Sequence, residues 1–267
     1  MPSAKLSVVS TLLLAAAALL AGCASQQADP TAKMTPEEIY AQAKEEIYNI
    51  QYAKGIALLD KLEGRAAGTP LAQQAQLDKA HAHYKAEEPA QAVATLDRFM
   101  RLHPASPAID YALYLKGLVN FNENLGLFSS LVRQDLAERD QQAAKESFAA
   151  FKELVTRFPQ SRYTPDARAR MNYIVNSLAK YEVHVARYYY SRGAYLAAIN
   201  RAQQAIADYR DAPALEEALH ILVQSFDALQ LPQLRDDARR VLETNYPQSQ
   251  YISSNAPLRQ DPWWKLW

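Results

Sequence analysis

The chain has 267 residues, with 29 basic and 29 acidic side chains and one cysteine. Formal neutrality leaves no electrostatic footprint for nucleic acid or another polyanion. The lone thiol can form neither a disulfide nor a Cys-based metal site within the chain, and seven glycines are too few for a sheet-rich fold with many tight turns.

Lys5 gives the first residues a positive charge, Leu6 to Leu20 is almost wholly apolar, and Leu20-Ala21-Gly22-Cys23 follows. The apolar run falls short of the ~20 residues of a spanning helix, so 1–22 reads as an export signal. The small residues before Cys23 resemble a lipoprotein signal peptidase site, which predicts S-diacylglycerol and an N-palmitoyl chain on Cys23. An ordinary signal peptide with an incidental cysteine is the competing reading. Ala24 and Ser25 stand where an aspartate would resemble an inner-membrane retention signal, so a lipid anchor on the periplasmic face of the outer membrane is expected. Several acyl chains, at about 0.8 kcal/mol per buried methylene, need no second membrane element. Residues 23–34 are small and polar with no periodic apolar face, and read as a lipidated tether spanning up to about 35 Å.

Beyond Met34 the chain repeats itself. Thr35-Pro36, Thr69-Pro70, Ser106-Pro107 and Thr164-Pro165 each set a capping hydroxyl before proline at the first helical position, and Ala212-Pro213 is a weaker fifth. Glu38 completes a capping box with Thr35. Stop signals at Leu102-His103-Pro104, Arg157-Phe158-Pro159, Asp208-Tyr209-Arg210 and Asn245-Tyr246-Pro247 alternate with these starts, leaving two amphipathic helices per unit. The starts lie 34, 37, 58 and 48 residues apart, the first being the tetratricopeptide period. The expected fold is all-α: a tetratricopeptide superhelix of about five helix pairs, with an N-terminal half over 35–163 and a C-terminal half over 164–252.

The 58-residue interval points to an inserted loop between about Asn120 and Glu138, near Gly126, in which Phe128 and Leu131 have few places to be buried. The 48-residue interval reflects a helix that continues from Pro165 to Ser191 before Gly193 breaks it. On it Met171, Ile174, Val175, Leu178, Tyr181, Val185 and Tyr189 form a stripe, read as core packing with a ligand-binding stripe as the alternative. The tail, 253–267, holds all three tryptophans: Trp263, Trp264 and Trp267. Such large apolar side chains at a terminus fold back on the last repeat, enter the headgroup zone or anchor on a partner.

No Gly-x-Ser-x-Gly elbow, dinucleotide fingerprint, Walker loop or His-Glu-x-x-His occurs, and His81 and His83 diverge on a helix. The adjacent acid pairs, such as Glu37-Glu38 and Glu216-Glu217, suit solvated helix faces. No catalysis, cofactor or metal is expected, although an enzyme acting on peptidoglycan would be revived by two carboxyl groups about 5 to 9.5 Å apart in a cleft. A helix-pair array instead offers a concave face to other proteins, and sixteen tyrosines suit it. Tyr84, Tyr111 and Tyr114 fall on first helices of consecutive units, as core or as groove.

Three stretches carry a specific resemblance: Asp110-Tyr-Ala-Leu-Tyr-Leu-Lys-Gly-Leu118; Arg139 to Phe151 with Arg157-Phe-Pro-Gln-Ser-Arg-Tyr163; and Leu178 to Tyr195 running on to Asn200-Arg201. Across roughly Met34 to Tyr251 the chain resembles the BamD family, lipoprotein subunits of the β-barrel assembly machinery (BAM). The resemblance implies five tetratricopeptide repeats and a non-catalytic role in outer-membrane protein insertion. It implies that the N-terminal repeats receive unfolded β-barrel proteins, and Tyr84, Tyr111 and Tyr114, where they line the groove, are the candidate contacts there. The C-terminal repeats would dock the POTRA domains of a BamA-like barrel subunit through Arg201, with Arg192 and Tyr195 nearby, beside other BAM lipoproteins. Arg201 could pair with a partner's carboxylate or within its own chain. The alternative is a periplasmic tetratricopeptide adaptor for cell-envelope hydrolases.

Overall fold

The computed structural model describes the backbone of residues 29–121 and 134–252, and the side chains of 29–121 and 141–252. The expected export signal, Cys23, the core of the expected inserted loop with Gly126, Phe128 and Leu131, and Trp263, Trp264 and Trp267 lie outside the described residues. Every regular element among the described residues is helical. In chain order they are α1 (Pro36–Tyr48), α2 (Tyr52–Arg65), α3 (Pro70–Lys85), α4 (Pro89–Leu102), α5 (Ile109–Val119), α6 (Gln134–Arg157), α7 (Thr164–Ser191), α8 (Tyr195–Asp208), α9 (Leu215–Ala228) and α10 (Pro232–Asn245). Taken two by two they are five tetratricopeptide helix pairs. Packing divides the chain into one unit ending at Ala72 and another beginning at Gln73.

In the first unit α1 and α2 bury Ile39, Ala43, Leu58, Leu59 and Leu62. They cross closely at Gly55, where a Cβ would lie 2.5 Å from Ile47 Cγ1. The capping box forms as expected: the Glu38 N–H donates to Thr35 Oγ1 at 3.2 Å, and the Thr35 N–H donates to Glu38 Oε2 at 2.8 Å. Thr69 also caps as expected, accepting from the Ala72 N–H at 3.2 Å.

The expected tether is shorter than 23–34. Residues 29–34 form a turn fastened to α2, with Thr31 buried. Asp29 accepts from Lys61 Nζ at 2.6 Å, Arg65 Nη2 at 3.2 Å and the Thr31 hydroxyl at 2.8 Å, and Arg65 Nη1 donates to the Thr31 carbonyl at 2.5 Å.

In the second unit one apolar cluster joins Leu77 and Ala80 of α3, Leu96 and Phe99 of α4, Leu113 and Leu115 of α5, Phe151 and Leu154 of α6, and Ile174 and Leu178 of α7. Another joins Val183 and Ala186 of α7 with Ala198 and Ala202 of α8, Leu219 and Leu222 of α9, and Leu242 of α10. The 28 residues of α7 thus serve two cores, which is why this helix outgrows its repeat. Of the expected stripe, Ile174 and Leu178 are buried, while Tyr181 and Val185 are half-buried. The buried face passes instead through Glu182, Val183 and Ala186.

In the four pairs whose connection is described, the two helices are joined by one recurrent turn. Ile50, Glu87, Gly193 and Gln230 adopt φ of 62°, 59°, 74° and 58°. The next residue's N–H then reaches back five positions, as from Gln51 to Glu46 at 2.8 Å and from Leu231 to Phe226 at 2.9 Å, giving a Schellman cap.

Between pairs a different turn recurs. Successive i to i−3 bonds run from Ser106 to His103 and Ile109 to Ser106, from Ser161 to Phe158 and Thr164 to Ser161, and from Ala212 to Tyr209 and Leu215 to Ala212. This turn corrects three expected starts. Ser106 lies two residues before the Ala108 cap, Thr164 is already helical and donates its hydroxyl to the Phe158 carbonyl at 2.8 Å, and α9 begins after Ala214 rather than at Pro213. The expected inserted loop also ends earlier, since α6 begins at Gln134.

Candidate functional site

Tyr111 and Tyr114 lie one turn apart on α5, which presents both rings to the inter-pair turn ahead of α7. Tyr114 stacks on Tyr163 with centroids 4.6 Å apart and planes 18° apart, and Tyr111 meets the same ring at 5.7 Å. The turn is held there by Ser161, whose hydroxyl donates to Asp110 Oδ2 at 2.7 Å. Tyr114 also approaches Phe151 at 6.1 Å. Its hydroxyl donates to Asp166 Oδ2 at 2.8 Å, an oxygen that also accepts from Arg170 Nε at 2.7 Å. Beside them Arg170 lies 4.5 Å over the Phe121 ring, and Phe121 contacts Tyr173 at 5.6 Å.

Burial first, then the nearby Asp78 charge, pushes the Tyr111 phenol up to about 12. Burial and the Asp166 hydrogen bond raise Tyr114. Burial would raise Asp166, but hydrogen bonds from Arg170 and Tyr114 outweigh it and hold the carboxyl below its ordinary value. At neutral pH the cluster therefore offers aromatic faces, protonated phenols, a carboxylate and guanidinium groups, a combination suited to apolar and aromatic side chains and to backbone carbonyls.

Tyr84 is half-buried on α3, with its ring 6.4 Å from His81 and Lys85 Nζ 5.8 Å over it. Tyr84, Tyr111 and Tyr114 all border the first apolar cluster, so these rings are core on one side and surface on the other. Tyr163 and Asp166, which complete the cluster, were not singled out from sequence. The signal for Tyr163 was the motif Phe158-Pro-Gln-Ser-Arg-Tyr163, which recurs as Tyr246-Pro-Gln-Ser-Gln-Tyr251, and nothing in the sequence marks Asp166.

At the other end of α7 Arg192 is exposed where the helix stops, 5.3 Å over the Tyr188 ring, and Tyr195 opens α8 against Tyr190 at 5.5 Å. Two turns along, Arg201 Nη1 donates to Glu182 Oε2 at 3.2 Å, realising the intrachain pair. The Arg201 side chain keeps 45% of its surface exposed, while Glu182 keeps 10%. A neighbouring fork, Arg187 to Glu217 at 2.6 and 3.0 Å, ties α7 to α9. Among the described residues no group of His, Cys, Asp and Glu could hold a metal ion, and no helix is long and apolar enough to cross a membrane.

The profile described as YfiO, outer membrane lipoprotein, matches residues 32–242. The outer membrane protein assembly factor BamD of Neisseria meningitidis serogroup B is 45% identical over 264 residues, covering 98% of each chain. The chain belongs to the BamD family of outer membrane lipoproteins. The assembly factor BamD of Vibrio cholerae is 32% identical over 232 residues, covering 87% of this chain and 96% of that one. Among solved structures, a putative kinesin light chain of Podospora anserina with TPR-like repeats aligns at 14% identity and a TM-score of 0.36, covering 81% of this chain and all of that one. The helix-pair fold rests on the chain's own geometry. The BamD relatives place the family at the outer membrane and do not favour the hydrolase-adaptor alternative.

Proposed function

We propose that this chain is the BamD subunit of a BAM complex, a non-catalytic assembly factor that receives unfolded β-barrel proteins and passes them to the outer membrane. The observation that carries the reading is the end-to-end match with BamD assembly factors, which spans both apolar clusters of the second unit. Anchoring is by lipid on Cys23, at the periplasmic face. Reception of clients is assigned to the Tyr111–Tyr114–Tyr163 cluster with Tyr84. Its rings offer contact area with few rotors to freeze, and the half-buried Tyr111 phenol stays protonated as a donor to an extended backbone, the Tyr114 O–H being committed to Asp166.

Docking of a BamA-like subunit through its POTRA domains is assigned to the exposed side of Arg201, with Arg192 and Tyr195. Glu182 takes one N–H of the Arg201 fork and leaves the others for a partner carboxylate. The aromatic tail with Trp263, Trp264 and Trp267 is assigned to a further anchoring contact with a BAM subunit or the inner leaflet. Affinity capture from detergent-solubilised outer membranes tests the docking assignment. A barrel subunit with POTRA repeats is expected with the unaltered chain and is expected to be depleted with Arg201→Glu. Equal recovery with both chains would remove Arg201 from the interface, and recovery of hydrolases in place of the barrel subunit would overturn the reading.

A further inference from the structure

The clamp on Asp29 fixes where the N-terminal segment enters the fold, and that point is close in sequence to Cys23. Asp29 binds two cations of α2, Lys61 and Arg65, and Arg65 also holds the Thr31 carbonyl and, at 3.2 Å, the Thr31 hydroxyl. The Lys61 hydrogen bond first, then those from Thr31, hold the Asp29 carboxyl far below the usual carboxylate range, so the clamp keeps its charge at any working pH. Six residue steps separate Cys23 from Asp29. At no more than ~3.6 Å per step, whatever path those residues take, the two lie within about 22 Å of one another. If the fold began at Thr35, twelve steps would allow about 43 Å.

We propose that the Asp29–Lys61–Arg65 clamp registers the first helix pair on the lipid surface, holding the end that carries the start of α1 and the finish of α2 nearer the membrane than the α1–α2 turn. The inference rests on acylation of Cys23, as assigned above. The two ends of the pair are about 18 Å apart, twelve steps of 1.5 Å along α1. The clamped reach of about 22 Å exceeds this separation by only about 4 Å, so turning the pair over requires the segment to be almost fully extended, whereas a reach of about 43 Å lets the pair turn over freely. Gly64, near the finish of α2, faces open space, and Tyr48, at the far end, is 87% exposed, so both sites accept a label.

The full-length lipoprotein is reconstituted into phosphatidylethanolamine and phosphatidylglycerol vesicles carrying a headgroup-linked energy-transfer acceptor. A donor dye is placed on Gly64→Cys or, separately, on Tyr48→Cys. Acylated Cys23 does not react, so the introduced thiol is the only one labelled. An otherwise unaltered chain that takes up dye at Cys23 and fails to float with the vesicles marks failure of the acylation reading itself. In the floated protein, transfer from position 64 is expected to exceed that from position 48 several-fold. The excess is expected to vanish in an Asp29→Ala, Arg65→Ala chain, and also when about ten Gly and Ser residues are inserted between residues 28 and 29, which leaves the clamp and the fold intact. Equal transfer from both sites in the floated protein, or an excess that survives the insertion, overturns the proposal.

Discussion

Tyr114 on α5 donates its hydroxyl to Asp166 on α7 at 2.8 Å, joining two helices 52 residues apart in sequence at the cluster assigned to client reception. Removing that hydroxyl and removing the ring have different consequences. Tyr114→Phe leaves Asp166 paired with Arg170 and is expected to cost about 1 kcal/mol. Tyr114→Ala also removes the stack on Tyr163 and the contact with Phe151, and is expected to cost about 3 kcal/mol. Urea unfolding of the two variants measures both. Client crosslinking that survives Tyr114→Phe but not Tyr114→Ala would assign the contact to the ring.

The same cluster predicts two pH limits. Asp166 has a folded pKa below its unfolded value, so its contribution is present above the unfolded value of about 3.9 and is lost as pH falls through the folded one. Tyr111 is neutral in the fold up to about 12, against about 10 unfolded, so its contribution is present below 10 and is lost between 10 and 12. Thermal melts across pH are expected to show Asp166→Asn flattening the acid limb and Tyr111→Phe flattening the alkaline limb, each leaving the other unchanged.

The turn within each pair sets a left-handed residue where three of the four described examples are not glycine. An L side chain there costs roughly 1 to 2 kcal/mol, most for a β-branched one. Ile50→Gly is expected to stabilise the protein by about 1 kcal/mol, with Glu87→Gly and Gln230→Gly giving less, and Gly193→Ala is expected to destabilise it by about 1 kcal/mol. Denaturant midpoints check the signs.

Gly117 on α5 has no room for a side chain, since a Cβ would collide with the Phe151 ring, and its carbonyl accepts from the buried Ser147 hydroxyl at 2.8 Å. Gly117→Ala is expected to cost about 1 to 3 kcal/mol. Adding Phe151→Leu makes space and is expected to recover part of that loss, which a double-mutant cycle reads directly.

Arg201 carries a structural duty beside its assigned docking role. Losing it leaves Glu182, nearly enclosed, without the guanidinium, at a cost of about 1 to 3 kcal/mol. Arg201→Met with Glu182→Gln removes both charges and is expected to restore most of the stability. If docking of the barrel subunit stays impaired in that stable pair, the interface role of Arg201 is separated from its structural one.

What was legible in the sequence was chemistry completed within a few residues. Thr35 and Glu38 cap α1 because both partners belong to one turn, and Gly193 ends α7 where a left-handed residue is needed. Ser106 and Thr164 were misplaced because Ser-Pro and Thr-Pro also suit the turn that precedes a helix. There the Ser106 oxygen accepts from Ala108, and Thr164 bonds back to Phe158. The polar run 29–34 resembled a free tether because its partners Lys61 and Arg65 lie more than 30 residues away. Tyr163 and Asp166 were missed for the same reason, since their importance arises only when α5 and α7 are adjacent. The split at 163/164 marks a division of assigned roles. The first apolar cluster runs across it, from Phe151 and Leu154 to Ala167 and Ile174.

The most direct test of the central claim is replacement in a bacterium depleted of its own BamD. This chain, with residues 1–22 and Cys23 in place, is expressed instead of the missing subunit, and folded β-barrel proteins in the outer membrane are quantified by their heat-modifiable migration. The account predicts that folded barrels return with the unaltered chain. If the chain is exported and reaches the outer membrane while barrels remain unfolded in the periplasm, the assembly role assigned to it is contradicted.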